Sequence, residues 1–229
     1  MAFIISPYNF AIAPVLLEHT DGQVAEANPV SFTHTMSGAD LGSNDTGRLT
    51  VVAIGWNSGI TCSSVVVDGV SGTLLAVASS DTYGHKSSIW IANTNGTGSS
   101  GDIAITWTGY TTASKNIDVY SLHNASTSAY DTLVDNVNSG ANCTGTIDGE
   151  AGCAVIATTM SGHSGGFSTN SWTGITEDSD RQSSQNYLVG SSASDVFASS
   201  FTNKTITVAN SRLATDGAGS MCAVSISPA

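Results

Sequence analysis

Charged residues are scarce in this chain, and basic residues are the scarcest. Only 10% of the 229 residues are charged, whereas an ordinary soluble domain carries roughly 25%. Six Lys and Arg residues face 18 Asp and Glu residues, which gives a formal net charge of −12. A phosphate backbone or an anionic membrane surface would be repelled by this charge. We therefore expect neither nucleic acid nor a membrane as a partner.

Long hydrophobic runs and a basic N-terminus are also lacking. No apolar run approaches the ~20 residues needed to span a bilayer. The first basic residue is Arg48, and Pro7 and Pro14 interrupt the early apolar stretch. A secretory signal peptide would need a basic start followed by an uninterrupted apolar segment. We therefore expect a soluble protein that is made in the cytoplasm without a signal peptide.

The cysteines form no CxxC pair, and the chain has no phosphate-cradling glycine motif. Three of the four cysteines, Cys62, Cys153 and Cys222, lie in or beside apolar runs, and the fourth is Cys143. This placement favours small buried hydrophobic residues, while a disulfide between two of them stays an open alternative. The histidines show no metal-binding spacing. We expect no cofactor and no metal.

Short apolar runs separated by Gly, Asn, Asp and Ser clusters predict an all-β chain, folded as an antiparallel β-sandwich. In residues 48–56 both alternating faces are apolar, which predicts a central strand covered on both sides. In residues 102–108, Ile103, Ile105 and Trp107 alternate with smaller or polar residues, so one face should lie on a core. Asp68-Gly69 predicts a tight hairpin turn. The predicted strands of the first half are residues 48–56, 62–68, 73–78, 87–93, 102–108 and 116–123.

The second half shows the same style at lower density. Residues 130–137 are compatible with either a short helix or an edge strand, and residues 178–186 with an exposed loop. No linker and no repeat of fixed period is found, so residues 31–229 are predicted to form a single β-sandwich domain. Residues 1–30 are predicted to form an irregular N-terminal arm or an edge strand. The predicted strands of the second half are residues 153–158, 171–176, 195–201, 204–208 and 221–227.

One motif resembles catalytic machinery. Residues 162–166 read GHSGG and follow an apolar run, as a G-x-S-x-G nucleophile elbow does. That elbow needs a helix after Ser164 and a general-base histidine further along the chain, and neither is predicted. All five histidines lie at or before residue 163. We therefore expect a protein without enzymatic activity.

Two sets of aromatic and apolar residues are candidate binding elements. Trp172 lies in a Ser/Gly-rich stretch and is the candidate platform for a glycan, whereas Trp90 and Trp107 lie inside strand patterns and are predicted core residues. The arm carries apolar residues that are candidates for docking on a partner: Phe3, Ile4, Ile5, Tyr8 and Phe10.

The order of these motifs resembles jelly-roll-like structural proteins of bacteriophage virions. The resembling parts are GRLTVVAIGW at residues 47–56, SVVVDGVSGTLLAVA at 64–78 and SSIWIANTNGTGSSGDIAITWTG at 87–109. WTGITEDSD at residues 172–180 and the final AVSISPA follow in the same order. These are patterns of strands and turns, and they bring no catalytic residues with them.

The resemblance implies a jelly-roll-like sandwich that decorates or cements a capsid, or forms a head fibre or part of a tail or baseplate. Such proteins act as homo-oligomers on other virion proteins, such as the major capsid protein, and a trimer is the expected state. The alternative is a glycan-binding, lectin-like module of a fibre, tail or baseplate, which would bind a host-surface glycan. The expected location is the virion.

Overall fold

The computed structural model describes residues 12–25, 32–57, 60–79, 84–109, 114–138, 142–162, 168–183, 188–211 and 218–229. Within these ranges the chain forms 17 β-strands, and all of the paired strands are antiparallel. The prediction of an all-β antiparallel sandwich is confirmed. The strands are β1 Leu16–Ala25, β2 Thr33–Asp40, β3 Leu49–Asn57, β4 Cys62–Val67, β5 Val70–Ser71, β6 Thr73–Ala78, β7 His85–Ala92, β8 Ser100–Trp107, β9 Lys115–His123, β10 Asp131–Val137, β11 Cys143–Gly149, β12 Ala154–Gly162, β13 Asn170–Thr173, β14 Thr176–Gln182, β15 Leu188–Val196, β16 Phe201–Asn210 and β17 Ala218–Ile226.

The described strands form four sheets that stack in four layers. Two five-stranded sheets lie in the middle: inner sheet 1, in the order β1-β9-β3-β7-β6, and inner sheet 2, in the order β10-β17-β12-β15-β14. Outer sheet 1, β2-β8-β4-β5, covers the free face of inner sheet 1. Outer sheet 2, β11-β16-β13, covers the free face of inner sheet 2. Each half of the chain therefore builds its own sandwich, and the two sandwiches pack through their inner sheets.

The two halves have the same strand plan. Replacing β1, β9, β3, β7 and β6 by β10, β17, β12, β15 and β14 converts the order of inner sheet 1 into that of inner sheet 2. Likewise, β2-β8-β4 of outer sheet 1 corresponds to β11-β16-β13 of outer sheet 2. The structure thus contains an internal repeat that was not predicted from the sequence. Across the interface β6 lies against β10 and β1 lies against β14, so the two halves are related by an approximate two-fold axis.

An irregularity in strand pairing strengthens this equivalence. The register between β6 and β7 shifts between Leu74 and Ala76, and the register between β14 and β15 shifts between Glu177 and Ser179. A β-bulge adds one residue to one strand and re-aims the side chains beside it. The same bulge in the same edge strand of both halves aligns them residue by residue.

Three buried apolar clusters hold the layers together. One lies between the two inner sheets and includes Val51, Tyr120, Ile156 and Val224. The other two lie between each inner sheet and its outer sheet. The prediction that residues 48–56 form a central strand is confirmed, since β3 is buried on both faces, with only Asn57 at its end partly exposed. Ile103, Ile105 and Trp107 of β8 face the core as predicted.

Several predicted elements of the second half are wrong. Residues 178–186 are not all loop, because β14 extends to Gln182 as an edge strand. Residues 195–201 are not one strand, since β15 ends at Val196 and β16 begins at Phe201. Residues 171–176 divide between β13 and β14. These strands carry many Ser, Asp and Asn residues, whose short polar side chains resemble loop composition.

The N-terminal segment and the cysteines have clear positions. Within residues 1–30, the stretch Leu16–Ala25 is an edge strand that pairs with β9. Residues 130–137 form an edge strand rather than a helix. The Asp68-Gly69 turn joins β4 to β5, with positive φ angles of 46° and 81°.

All four cysteines are buried and free, so the prediction of small buried hydrophobic residues is confirmed. No described helix has the length and apolar character to cross a membrane.

Candidate functional site

A buried carboxylate lies where the two halves meet. Asn116, Asp118 and Tyr120 alternate along β9 with Ile117 and Val119, which face outer sheet 1. The three polar residues therefore face the second half, where Asp118 is completely buried. A buried carboxylate is costly unless its oxygens receive hydrogen bonds or an opposite charge. The surrounding side chains must therefore supply both.

Four side chains serve the Asp118 carboxylate, and together with it they are called the Asp118 cluster. The Nε2 atom of His19 lies 3.0 Å from Asp118 Oδ1, and the Ser179 hydroxyl donates to the same oxygen at 3.0 Å. The Arg181 guanidinium also donates to Oδ1 and forms an ion pair with the carboxylate. The Asn116 amide donates to Oδ2 at 2.6 Å. His19, Asn116 and Asp118 belong to the first half, whereas Ser179 and Arg181 belong to the second half.

Two glycines provide the space for this cluster. A Cβ atom on Gly22 of β1 would overlap the Arg181 guanidinium. A Cβ atom on Gly190 of β15 would overlap the Asn116 side chain. Glycine permits this close approach because it has no side chain. The backbone of each half is thus shaped to receive a polar side chain of the cluster.

Tyr120 extends the contact between the halves. Its hydroxyl donates to Asp178 Oδ2 at 3.0 Å. Its ring packs against the His19 imidazole, with the ring centroids 5.0 Å apart and the planes tilted by 49°. Asp178, Ser179 and Arg181, which all lie on β14, supply the three second-half side chains that hydrogen-bond to Tyr120 or Asp118 in this region.

The carboxylates of this region have opposite pKa shifts. Burial alone would raise the pKa of Asp118, yet the hydrogen bond from His19 and the charge of Arg181 outweigh it, and the pKa is lowered. Burial raises the pKa of Asp178, and it raises that of Asp180 to about 6. Asp118 is therefore held as an anion by its partners, while Asp178 and Asp180 resist ionisation.

The arrangement links the two halves of the chain through polar side chains. An Asp–His pair is part of many catalytic triads, where the Asp orients the His and the other ring nitrogen serves a nucleophile. Here Asp118 accepts hydrogen bonds from four side chains of both halves, and it is sealed from solvent. Among the residues that the structure describes, no group of three or more His, Cys, Asp or Glu side chains is placed to hold a metal ion.

A surface cleft of about 560 Å³ lies in the first half. It is bordered by the start of β1, by the loop that follows β2 and by the end of β9. Glu18, Asp45, Ser43 and Ser121 give its lining carboxylate and hydroxyl groups, and Leu16 and Leu17 give it apolar surface. Buried Arg48 holds the nearby loop by donating to the carbonyl oxygens of residues 42 and 43 at 3.2 Å. This volume lies within the usual range of small-molecule sites.

Trp172, the predicted glycan platform, is half-buried. It lies on β13 with its ring packed against the cluster between inner sheet 2 and outer sheet 2. Its indole N–H donates to the Ser191 hydroxyl of β15 at 2.6 Å. The indole therefore spans the two sheets of the second half, and only part of it reaches solvent.

The other predicted residues lie elsewhere or outside the described ranges. The docking candidates Phe3, Ile4, Ile5, Tyr8 and Phe10 lie outside the described residues. Of the GHSGG motif, only Gly162 is described, and it is the last residue of β12. The remaining four residues lie outside the described residues.

Sequence reasoning missed the Asp118 cluster, although one signal was present. Residues 116–123 were correctly predicted as a strand, and Asp118 lies in that strand between Ile117 and Val119. An acidic residue in a strand that is apolar on its alternate face points to the other face. Only the packing of a second sheet on that face reveals that Asp118 is buried and paired with Arg181, 63 residues further along the chain.

Comparison of the chain with family models, with curated proteins and with solved structures gives no match. The resemblance to phage virion proteins stays a prediction from the strand and turn patterns of the sequence.

Proposed function

We propose that this protein is a non-enzymatic structural protein of a bacteriophage virion, which binds the outside of the shell as a capsid decoration or cement protein. The observation that carries the proposal is the Asp118 cluster. The ion pair between Asp118 and Arg181 joins the two halves, and His19 contacts the same carboxylate. Their chemistry is directed toward building one body rather than toward a substrate.

The layered body and its charge support this role. Two sandwiches fused through a common core form a building block with three buried apolar clusters. A net charge of −12 suits a component that faces outward on a particle and does not contact packaged nucleic acid. The protein acts on the shell as a homo-oligomer, bound to other virion proteins such as the major capsid protein.

The strand order supports the jelly-roll part of the proposal. With the edge strand β6 left aside, the strands of the first half alternate between the two sheets except at the step from β4 to β5. Inner sheet 1 then holds β1, β3, β7 and β9, and outer sheet 1 holds β2, β4, β5 and β8. A jelly roll is a two-sheet sandwich of eight strands with two Greek keys. We therefore propose that the first half is an eight-strand jelly roll with β6 as an added edge strand, and that the second half follows the same order with seven described strands and β14 as the added edge strand.

The N-terminal residues are the proposed docking element. The apolar residues Phe3, Ile4, Ile5, Tyr8 and Phe10 precede β1, so an extended segment could add to a partner's sheet. A truncation that tests this idea should end at residue 11. A longer truncation through residue 28 would remove β1 and His19, and it would expose β9 and the Asp118 cluster.

The test combines the purified full chain with heads of its phage that were assembled without it. We expect the full chain to bind these heads saturably, with a symmetric array in electron cryomicroscopy, and a chain lacking residues 1–11 to bind poorly. Loss of the gene should yield particles that break at lower temperature or lower salt. Particles that lack the protein but keep wild-type stability, or heads that leave the full chain unbound, would contradict the role.

The second candidate function is glycan binding on a fibre, tail or baseplate. The acidic cleft favours it, because carboxylates and hydroxyls such as Glu18, Asp45 and Ser121 can accept and donate hydrogen bonds to sugar hydroxyls. A glycan array probed with wild type, Asp45→Ala and Trp172→Ala tests both locations. Binding that is lost in either variant favours this candidate, and silence of the wild type on the array removes it.

A further inference from the structure

The two equivalent edge strands β6 and β14 differ sharply in charge. The sequence of β6 is TLLAVA, which has no charged residue, whereas that of β14 is TEDSDRQ. When the two bulges are aligned, Leu74 of β6 is equivalent to Glu177 of β14, and Val77 is equivalent to Asp180. Charged side chains on an edge strand prevent it from pairing with another chain. Of these two equivalent edges, β14 is protected in this way and β6 is not.

The side chains of β6 leave apolar surface at this edge. Leu74 and Val77 are each 42% exposed. Leu74 pairs with Trp90 and Val77 pairs with Ser88, so both point to the face of inner sheet 1 that bears outer sheet 1. Val134 of the adjoining edge strand β10 is 52% exposed. Exposed apolar side chains therefore lie on β6 and also on the adjoining strand β10.

Side chains on β6 point either inward, toward the second half, or outward, toward outer sheet 1. Their order along the strand is symmetric about its centre. The bulge turns Leu75 and Ala76 to the same inward face, and Leu74 and Val77 flank them on the outward face. Thr73 and Ala78 at the strand ends both pair with residues whose side chains lie on the inward face. The pattern is thus inward, outward, inward, inward, outward, inward. An antiparallel strand of the same sequence matches it position by position.

We infer that β6 is a self-association surface on which the β6 strand of a second copy pairs antiparallel, with Leu74 opposite Val77 of the other copy. A two-fold contact requires a self-complementary surface, and the side-chain order of β6 has this property. The charge distribution also favours a second copy of this chain as the partner. Two bodies of charge −12 repel each other, and an uncharged strand on both copies lets them meet without opposing carboxylates. The result is a continuous ten-stranded sheet made of two copies of the five-stranded inner sheet 1.

The test transfers the charged residues of β14 to the equivalent positions of β6. The double variant Leu74→Glu/Val77→Asp gives β6 the side chains that β14 carries at the equivalent positions, so the fold should tolerate them. Its matched control is Leu16→Glu/Val196→Asp, which makes the same substitutions at residues that are 57% and 40% exposed and lie off β6. Sedimentation velocity measures the assembly of the full chain, and circular dichroism and thermal melting check its folding.

We expect wild type and the control to sediment as dimers, in place of the trimer that the resemblance implies. We expect the β6 variant to be a folded monomer, with its dissociation constant raised at least about 100-fold, because Glu and Asp carboxylates of the two copies would then oppose each other across the pairing. A wild type that stays monomeric at high protein concentration, or forms a trimer, would overturn the inference. A folded β6 variant that remains dimeric would do so as well.

A covalent trap keeps the inference testable if the charged variant fails to fold. The variant Leu74→Cys/Val77→Cys should form a disulfide-linked dimer under mild oxidation, because the pairing brings each new cysteine opposite the other type. The four natural cysteines are buried and should not react. The single variants Leu74→Cys and Val77→Cys should cross-link much less, and equal cross-linking in singles and double would contradict the register.

Discussion

The two halves of the molecule share one strand plan but fill their outer cores with different side chains. In the first half, Trp56 is completely buried, and its ring lies 5.2 Å from that of Trp107. The pairing registers and the shared bulge make Ser161 the second-half equivalent of Trp56. In the same alignment Ala193 replaces Trp90. The two halves therefore share their strand registers and the alternation of their faces, although the side chains that fill their outer cores differ.

The second half fills the missing volume in two ways. Trp172 enters its core from β13 and donates to Ser191, just as Trp90 in the first half donates to Ser88. Ser88 and Ser191 are equivalent residues of β7 and β15. Two tryptophans from different strands thus use the same serine position. This comparison explains why the half-buried Trp172 packs against the core despite its Ser/Gly-rich surroundings.

A buried polar network takes the remaining space beside Ser161. The Asn210 amide donates to Ser161 Oγ at 2.9 Å, to Asn170 Oδ1 at 2.9 Å and to Ser168 Oγ at 3.0 Å. The network is not fully satisfied, because the buried Asn170 Nδ2 has no hydrogen-bond partner in the described part of the chain. The first half relies on apolar volume at this place, and the second half relies on hydrogen bonds.

The largest expected effect distinguishes these two strategies. Trp56→Ala should lower the free energy of unfolding by about 4 kcal/mol, because it removes a fully buried ring and leaves a cavity. The equivalent change Ser161→Ala should cost only about 1 kcal/mol, the net worth of its hydrogen bonds. Urea unfolding followed by circular dichroism measures both. Equal costs would contradict the difference between the two cores.

The stability of the protein should be nearly as sensitive to substitutions in the Asp118 cluster. Arg181→Met should cost about 3 kcal/mol at pH 7, because it leaves Asp118 buried without its cationic partner. In combination with Asp118→Asn the loss should be smaller than the sum, since the charge that needs Arg181 is then gone. A double-mutant cycle by urea unfolding measures this coupling, and additive losses would disprove it.

The same cluster predicts a pH dependence. A carboxylate whose pKa is lowered by folding stabilises the protein above its unfolded pKa of about 4, and this stabilisation is lost as pH falls through the folded value. Wild type should therefore lose stability more steeply below pH 4 than Asp118→Asn does. Thermal melting across pH 2 to 7 measures the two profiles, and parallel profiles would remove Asp118 as a source of acid sensitivity.

The indole hydrogen bonds offer a matched pair of smaller changes. Trp90→Phe and Trp172→Phe each remove an N–H donor to an equivalent serine while keeping an aromatic ring. Each should cost about 1 kcal/mol from the lost hydrogen bond, with a further contribution from the smaller ring. Similar losses in urea unfolding would support the equivalence of Ser88 and Ser191. A neutral Trp172→Phe would instead indicate that its indole contributes little to the core.

The smallest expected effect is stabilising. Burial raises the pKa of Asp180 to about 6, so its ionisation opposes folding at neutral pH. Asp180→Asn should raise the free energy of unfolding by about 1 kcal/mol at pH 7, after discounting for partial exposure to solvent. The gain should disappear below pH 4, where the carboxyl is protonated in both states. A gain that persists in acid would contradict this origin.

The sequence predicted the first half better than the second for physical reasons. Strands such as β3 and β8 are rich in Val, Ile and Trp with clear alternation, so their burial could be read from local pattern. Strands such as β14 and β15 are built from Ser, Asp and Gly and are defined by their partners. The Asp118 cluster depends on two glycines and on Arg181 from the other half, and no local pattern reveals such a contact. The internal repeat was hidden because the halves keep faces and registers while exchanging Trp56 for Ser161.

The most direct test of the account asks whether the two halves form one body. Hydrogen exchange read by mass spectrometry at increasing urea reports separately on β3 and β9 of the first half and on β12 and β17 of the second. The common core between the inner sheets and the Asp118 cluster predict that all four strands lose protection at the same urea concentration. If the second half loses protection while β3 and β9 stay protected, the halves are independent sandwiches, and the Asp118 cluster does not unite them.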